Sequence, residues 1–343
     1  MHVPPPQPPA QSLSQCLDRL CFATVAMGMN IGQEVPDSSC KIAAQNSQRT
    51  IQMQLPGFVT RWGPEELGDA WPEFCELVKQ FGLALATDVE SLADLPPAAV
   101  PLRMGGRVNL RPVVPEELST ADLFVLTLQD ESGVWGWPPE IGELSRIESF
   151  IASLRQAAGD NTPIGIGLAA NARSSDLQLA IRAGADFLHL VSRGAGVDVC
   201  VGVAKARAMA VAQKKADLPI LLEAPVTGEE NLVKLLALGA SAVSLDAFLE
   251  SAVVHLTQRA DDDNSGNQVG GMLSSLVAQP PGETSARPKL QPLNERLKAF
   301  EFELRDKLNL VGVIDMAGFN SNCLRALDAS AAELFCLSKM DRD

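Results

Sequence analysis

The sequence predicts an α/β fold, a (β/α)8 TIM barrel with an N-terminal extension and C-terminal helices, on three observations. Residues 218–249 combine an apolar strand, a helix and a second apolar strand, LPILLEAPVTGEENLVKLLALGASAVSLDAFL. Apolar strands that alternate with helices are typical of a parallel sheet covered on both faces. Eight apolar runs occur along the chain, which is the strand number of this barrel. The phrases IRAGADFLHL and LALGASAVSL form a weak repeat, with Gly184 and Gly239 at the position of a left-handed C-cap.

The predicted elements follow one another in the order that the barrel requires. The strands are expected at 51–60, 83–89, 108–111, 122–128, 163–169, 186–191, 218–224 and 242–246. Between them, helical patterns are best supported at 64–80, 140–158, 174–183, 201–215 and 229–238. Beyond the last strand, the apolar spacing predicts two amphipathic helices at 294–308 and 322–337.

The chain is expected to divide into four segments. Residues 1–48 hold a Pro-rich head, whose composition predicts disorder, and an extension that packs on the outside of the barrel. The barrel itself is expected over residues 49–260. Residues 261–292 contain DDDNSGN, paired Gly and Pro-Pro, which indicate a flexible linker. Residues 293–343 are expected to form C-terminal helices that pack on the barrel.

Composition and charge narrow the classes of function. With 343 residues, 46% of them hydrophobic, the chain can bury a sizeable core. Its formal net charge of −14 argues against binding to nucleic acid or to an anionic membrane, since both favour Lys and Arg patches. The start lacks the basic region of a secretory signal, and the apolar run at 20–29 is too short to span a bilayer. A cytoplasmic protein is therefore expected, while the formation of a homo-oligomer and the identity of a small-molecule or protein partner stay open.

The cysteines and histidines predict neither a disulfide framework nor a metal site. The seven cysteines are scattered, without a CxxC pair or a Cys/His spacing, and the chain has only three histidines. Free cysteines are commonly buried, so reduced thiols in the core are expected.

Several phrases occur in the same order as in a known enzyme family. IQMQLPGFVTRWGPEEL at 51–67 resembles that family's first strand and loop, and DLFVLTLQDESGVWGWPPEIGEL at 122–144 resembles a strand followed by its glycine-rich loop. The phrases TPIGIGLAA and ADFLHLVSRGAG correspond to two later strands, and LNERLKAFEFELRDKLNLVGVID to the closing helix. On these phrases the chain resembles the FMN-binding domain of glutamate synthase, especially its compact form, from about residue 17 to residue 337.

The resemblance implies an FMN phosphate site at the last two βα loops, where backbone N–H groups and a helix N-terminus face the anion. The family's glycine-rich loops are replaced here by residues 223–228 and 245–247. Both replacements oppose phosphate binding, because Pro225 has no N–H and because Glu223 and Asp246 bring carboxylates near a dianion. The remaining candidate cofactor-binding residues are Thr227, Gly228 and Glu229.

Two other features of the family are absent from the sequence. The strand lysines that would stabilise negative charge on a reduced flavin are missing, since Thr127 or Leu126 stands at one position and the strand at 164–168 contains no Lys. The cysteines that would ligate an iron–sulfur cluster after the eighth strand are also missing, since residues 247–291 contain no Cys. FMN is therefore implied by the resemblance and opposed by these residues, and no iron–sulfur cluster is expected.

Three polar residues at strand ends are weak candidates for catalysis. Glu223 and Asp246 would be the carboxylates of a new site at the barrel mouth, and Arg193 would bind an anion there. The alternatives are loop or helix-terminal hydrogen bonding for the two carboxylates and solvation for the arginine.

A histidine and two tryptophans have open interpretations as well. His189 lies on an apolar strand, where a core histidine is more common than a ligand. Trp135 and Trp137 could stack on a planar ligand or pack in a lid.

The sequence leaves three functions open. The resemblance implies a flavin-dependent oxidoreductase that forms glutamate from 2-oxoglutarate and ammonia-derived nitrogen. The alternative is a catalytically inactive barrel that acts as a binding, scaffold or regulatory protein, which the altered phosphate loop and missing lysines favour. The third is a non-flavin barrel enzyme that uses Glu223, Asp246 and Arg193.

Overall fold

The fold is described from a computed structural model of the 343-residue chain. The structure describes residues 13–23, 36–44, 49–87, 90–108, 121–127, 144–158, 162–192, 196–250, 252–253 and 290–335. The predicted Pro-rich head and almost all of the predicted linker at 261–292 lie outside these ranges.

Eight parallel strands close into a barrel, which confirms the predicted (β/α)8 fold. In chain order they are β4 (Gly57–Val59), β5 (Ala84–Ala86), β6 (Leu102–Val108), β7 (Leu123–Thr127), β8 (Ile164–Ala169), β9 (Phe187–Val191), β10 (Ile220–Glu223) and β11 (Ala242–Ser244). Each strand pairs with the next, and β11 pairs with β4 to complete the circle. The carboxyl ends of all eight strands therefore meet at one mouth.

The helices lie outside the barrel, mostly between successive strands. They are α2 (Pro64–Leu67), α3 (Trp71–Gln80), α4 (Leu144–Ala158), α5 (Ser174–Arg182), α6 (Gly196–Ala212), α7 (Glu229–Ala237) and, after the barrel, α8 (Gln291–Leu310) and α9 (Ala329–Phe335). Alternate strand residues face these helices: on β9, Leu188 and Leu190 belong to the outer core, while Phe187 belongs to the barrel interior. This two-sided burial explains why the strands are continuous apolar runs.

The end of the barrel opposite the mouth is plugged by a hairpin that the sequence did not predict. Strands β2 (Cys40–Ala43) and β3 (Thr50–Met53) pair antiparallel, and their buried side chains join the interior cluster around Phe58. The predicted strand 51–60 is therefore two strands, separated by a bend at 54–56. The sequence did not reveal this break, because Leu55 and Pro56 are apolar and continue the apolar run from which a single strand was predicted.

The N-terminal and C-terminal segments pack together on the outside of the barrel. Helix α1 (Leu13–Leu17) contacts α6 and α7, and strand β1 (Leu20–Phe22) pairs antiparallel with β12 (Leu324–Ala326). Helix α8 buries five apolar side chains, and the Arg296 guanidinium lies 5.2 Å from the Phe248 ring centre. The predicted helix at 322–337 begins instead with a 3-10 turn and strand β12, because this segment pairs with β1.

The third barrel strand lies earlier than the predicted 108–111. Strand β6 runs from Leu102 to Val108, so the prediction overlaps it at one residue only. Two arginines and a Gly-Gly pair obscure its apolar alternation in the sequence. Arg103 is nevertheless buried, since its Nε donates to the Thr87 carbonyl at 3.1 Å.

The structure bears on two sequence features, the apolar length of the helices and the state of the cysteines. No helix within the described residues is long and apolar enough to cross a membrane. No disulfide joins the described cysteines, and burial raises the pKa of the Cys40, Cys75 and Cys200 thiols to about 12.

Candidate functional site

The interior of the barrel changes from apolar to polar toward the mouth. The lower part holds Phe58, Val125, Phe187 and Leu221 in one buried cluster. The inward positions nearer the carboxyl ends are occupied by polar residues on several strands, namely Thr60, Thr127, His189, Glu223, Ser244 and Asp246. The candidate site therefore lies where active sites lie in barrels of this class.

Asp246 joins the loop after the eighth barrel strand to the loop after the first. Its carboxylate accepts hydrogen bonds from the Thr60 backbone N–H at 3.0 Å, the Thr60 hydroxyl at 2.9 Å and the Arg61 N–H at 2.9 Å. The Ser244 hydroxyl adds a fourth donor at 2.6 Å. The carboxylate is buried and its acceptor capacity is occupied, so in this arrangement it holds the two loops together. Its catalytic role stays a prediction.

Glu223 and His189 meet inside the mouth. Glu223 ends β10 with its side chain one-third exposed, and its Oε2 lies 3.5 Å from His189 Nε2. His189 faces the interior from the middle of β9, with its ring centre 5.6 Å from that of Phe58 in an edge-on arrangement. Neither ring nitrogen makes a hydrogen bond to any described residue. Burial lowers the pKa of His189 to about 4, so the imidazole is neutral at pH 7.

The loop after β10, the seventh barrel strand, leads into an uncapped helix. Gly228 is the N-cap of α7 with φ −108° and ψ 140°, and no side chain caps the first turn. Thr227 is exposed and Glu229 is half-buried. Pro225 is also exposed, and the next N–H, that of Val226, is taken by the Ala224 carbonyl at 2.9 Å. The N–H groups from Thr227 onward are the donors that this loop presents at the positive end of α7.

A cleft of about 350 Å³ lies at the loops after the first two barrel strands and includes Thr60 and Arg61, the partners of Asp246. Residues 60–66 form one side of it, and Ala86, Thr87 and Ser91 form the other. The Arg61 guanidinium lies 5.0 Å from the Trp62 ring centre and pairs with Glu250 at 2.8 Å. The Trp62 indole N–H is buried without a hydrogen-bond partner among the described residues. Sequence reasoning missed this cleft, because no motif marks it.

The strand positions that the resemblance assigns to lysines hold no cation. The inward side chains of β7 are Leu123, Val125 and Thr127. The inward positions of β8 are Gly165, Gly167 and Ala169. Phe187 explains one of these small residues, because a Cβ on Gly165 would lie 2.2 Å from the Phe187 ring. Neither strand therefore presents an inward cation to the barrel interior.

Some predicted positions lie outside the described residues. Arg193, Trp135 and Trp137 are among them, so their predicted roles stay predictions. Within the described ranges, no group of three or more His, Cys, Asp or Glu is placed to hold a metal ion.

Comparison with known proteins shows the fold. No family model matches the chain, and no curated protein matches it in sequence. Among solved structures, it is similar to a flavocytochrome b2 mutant with benzoylformate, with a TM-score of 0.59 and 13% identity over 96% of this chain and 80% of that one. At these identities the likeness carries the barrel fold and no more.

Two further structures have the same fold. A mandelate oxidase mutant with a monooxide FMN adduct gives a TM-score of 0.53 and 14% identity over 88% of this chain and 86% of that one. Inosine 5' monophosphate dehydrogenase from Legionella pneumophila gives 0.55 and 12%, over 94% of this chain and 99% of that one.

Proposed function

We propose that this chain is an FMN-dependent oxidoreductase of the (β/α)8 class, with the FMN phosphate at the start of α7. The observation that carries the proposal is the uncapped N-terminus of α7, which follows the seventh barrel strand. Phosphate sites of such barrels commonly lie at the loops after strands seven and eight. The FMN adduct in the mandelate oxidase structure supports the choice of cofactor.

The geometry of the two nearby carboxylates makes the loop more suitable for a phosphate than the sequence predicts. Asp246 is directed toward the first barrel strand, where four donors compensate its charge. Glu223 is directed into the barrel, against His189. The backbone N–H groups of Thr227, Gly228 and Glu229 are therefore available to the phosphate, with neither of these two carboxylates between them and the anion.

The inward residues of β7 and β8 nearest the mouth, Thr127 and Gly167, are among those that would line the flavin site. When bound, FMN supplies the electron transfer of the reaction. Thr127 and Gly167 leave the ring without a lysine from these strands, so the protein would stabilise a negatively charged reduced ring less than a lysine-bearing barrel does. An unusually low reduction potential is the expected consequence.

The reaction that we propose to assay first is the formation of glutamate from 2-oxoglutarate and ammonia-derived nitrogen. This choice rests on the resemblance of sequence phrases to glutamate synthase, together with the barrel fold. No iron–sulfur cluster is included in the proposal, so the two electrons that this reductive reaction consumes would come from an external electron donor.

The experiment is a titration of the purified full-length chain with FMN, followed by quenching of flavin fluorescence. Gly228→Asp should weaken binding by roughly tenfold or more, because an N-cap carboxylate would take the same N–H donors and repel the dianion. Gly228→Asn is the matched control, since it caps the helix without charge. Both fit the extended backbone at this position, where a Cβ meets only Asn231 Nδ2 at 3.6 Å.

The result tests the flavin function against the two alternatives that use no flavin. Saturable binding that falls in the order parent, Asn variant, Asp variant supports the FMN site. Equal binding by all three variants would place the phosphate elsewhere. If the parent does not bind FMN at all, the oxidoreductase proposal is wrong, and an inactive binding, scaffold or regulatory barrel and a non-flavin barrel enzyme remain.

A further inference from the structure

The strongest unexplained feature of the barrel is the unsatisfied imidazole of His189. Its side chain is more than nine-tenths buried, and neither ring nitrogen has a hydrogen-bond partner in the described part of the chain. A buried polar group without a partner destabilises a fold, so native proteins almost always provide one, from protein, water or ligand. A missing partner at this position therefore indicates a ligand or water.

Two further polar groups occupy inward positions around His189. Glu223 lies two residue pairs nearer the mouth than His189, and its Oε2 lies 3.5 Å from His189 Nε2, which is longer than a direct hydrogen bond. Thr127 is paired with Gly167, which in turn pairs with His189. A Cβ on Gly167 would lie 3.1 Å from Thr127 Oγ1, so the hydroxyl lies beside the bare backbone of Gly167, and no side chain of β8 separates it from His189 in the register.

The chemistry of these three groups selects the class of ligand. The Glu223 carboxylate, a neutral imidazole nitrogen and the Thr127 hydroxyl oxygen are all acceptors. A primary ammonium group has three N–H donors and no acceptor, and its positive charge matches the carboxylate. A carboxylate or phosphate ligand would instead meet like charge at Glu223.

We propose that Glu223, His189 and Thr127 form a binding site for a primary ammonium group at the barrel mouth. The ammonium enters between the Glu223 carboxylate and the imidazole, where the two side chains are too far apart to bond each other well. This site does not rest on the proposed flavin chemistry. Beside the proposed phosphate site at the start of α7, it would be a second site that selects the ligands of the barrel.

The test uses the imidazole itself as the reporter. The full-length chain has only three histidines, so isotope-labelled histidine gives a simple NMR spectrum, in which His189→Gln assigns the signal of interest. Methylammonium chloride is added at neutral pH and constant ionic strength, without FMN. Tetramethylammonium chloride is the matched probe, because it carries the same charge without N–H donors.

The site predicts a saturable shift of the His189 signals with methylammonium and none with tetramethylammonium. Glu223→Gln should weaken methylammonium binding by about tenfold or more, because the acceptor loses its charge. Glu250→Gln removes an exposed carboxylate that pairs with Arg61, and should leave binding unchanged. Thr127→Val keeps the shape of the side chain and removes its hydroxyl, so it should also weaken methylammonium binding. It serves as the second test if the Glu223→Gln variant does not fold.

Three results would overturn the proposal: no shift with methylammonium, equal shifts with both probes, or equal weakening by the Glu223 and Glu250 variants. None of them bears on FMN binding, which the Gly228 variants measure separately.

Discussion

Asp246 and Thr60 close the mouth of the barrel across the seam between its last and first strands. The Asp246 carboxylate accepts both the backbone N–H and the hydroxyl of Thr60, at 3.0 and 2.9 Å, although the residues are 186 positions apart in the chain. The contact lies directly above the pairing of β11 with β4. The Asp246 carboxylate, for which catalysis was one prediction, thus connects the last and first strands of the barrel.

Replacing Asp246 with Ala should lower the free energy of unfolding by about 2–4 kcal/mol, because buried N–H and hydroxyl donors lose their acceptor. The donors left unsatisfied are those of Thr60, Arg61 and Ser244. Urea unfolding followed by circular dichroism measures the change. The control is Glu250→Gln, at an exposed ion pair on the same face, which should change stability by less than about 0.5 kcal/mol. Similar effects of the two substitutions would show that Asp246 does not close the seam.

Replacing Gly202 with Ala tests how closely α6 approaches the barrel. Helix propensity alone predicts stabilisation by about 1 kcal/mol. A Cβ at Gly202, however, would lie 2.0 Å from the Ala170 carbonyl oxygen, which is backbone and cannot move aside. We therefore expect net destabilisation of about 1–3 kcal/mol, the usual range for an overpacked core.

The measurement is again urea unfolding, with Gly228→Ala as the control. Gly228 is an N-cap where a Cβ would meet only Asn231 Nδ2, at 3.6 Å, so substitution by Ala should cost less than about 1 kcal/mol, through the poorer N-cap alone. An increase in stability for Gly202→Ala would mean that the helix can move away from Ala170.

The barrel could be predicted from the sequence because burial on both faces leaves a strong record in each strand. The run 218–224 and the glycine at 239 show this, since the strand and the C-cap lie where they were expected. Strand β6 was misplaced because buried Arg103 hydrogen-bonds to the Thr87 carbonyl, just after the neighbouring strand β5, a compensation that no local pattern reveals. The strand pair β1 and β12 was missed for a similar reason, because its partners are more than 300 residues apart.

The site could be predicted only in part. Position alone identifies Glu223 and Asp246 as residues of the mouth, because each comes at the end of a predicted strand. Their partners could not be foreseen, since Thr60 and His189 are brought to them by closure of the barrel and by strand register. Sequence reasoning also placed His189 in the core, which is correct for its burial, but gave no sign that its nitrogens lack partners.

Lys234 should anchor the N-terminal helix α1 to the barrel. Its buried ammonium group donates to the Leu17 carbonyl at 3.0 Å and pairs with Glu230 at 2.9 Å. Lys234→Met keeps most of the side-chain volume and leaves the carbonyl unsatisfied, which should lower stability by about 1–3 kcal/mol. Hydrogen exchange should accelerate in α1 more than in the barrel strands.

The matched control is Lys41→Met, at an exposed pair with Asp37. It should leave the exchange of α1 unchanged, since exposed ion pairs contribute little. Uniform acceleration over the whole chain in the Lys234 variant would mean that the lysine supports the barrel as a whole and not the attachment of α1.

His189 should make the protein sensitive to mild acid. Burial lowers its pKa from 6.5 to about 4, so between these two values the unfolded chain binds a proton that the folded chain does not. The stabilisation from the neutral form is complete above pH 6.5 and is lost as the pH falls toward 4. The shift corresponds to roughly 3 kcal/mol.

The comparison that isolates this histidine is His189→Leu, measured by urea unfolding across the same pH range. Other titrating groups act on both proteins, so the difference in their unfolding free energies reports the imidazole and its contact with Glu223. Near neutral pH the variant should be as stable as the parent or more so, because it removes two unsatisfied nitrogens. Its advantage should grow as the pH falls from 6.5 to about 4. A constant difference over this range would mean that the imidazole is protonated in the folded barrel. Within the described residues, the carboxylate in contact with the imidazole that would stabilise this charge is that of Glu223.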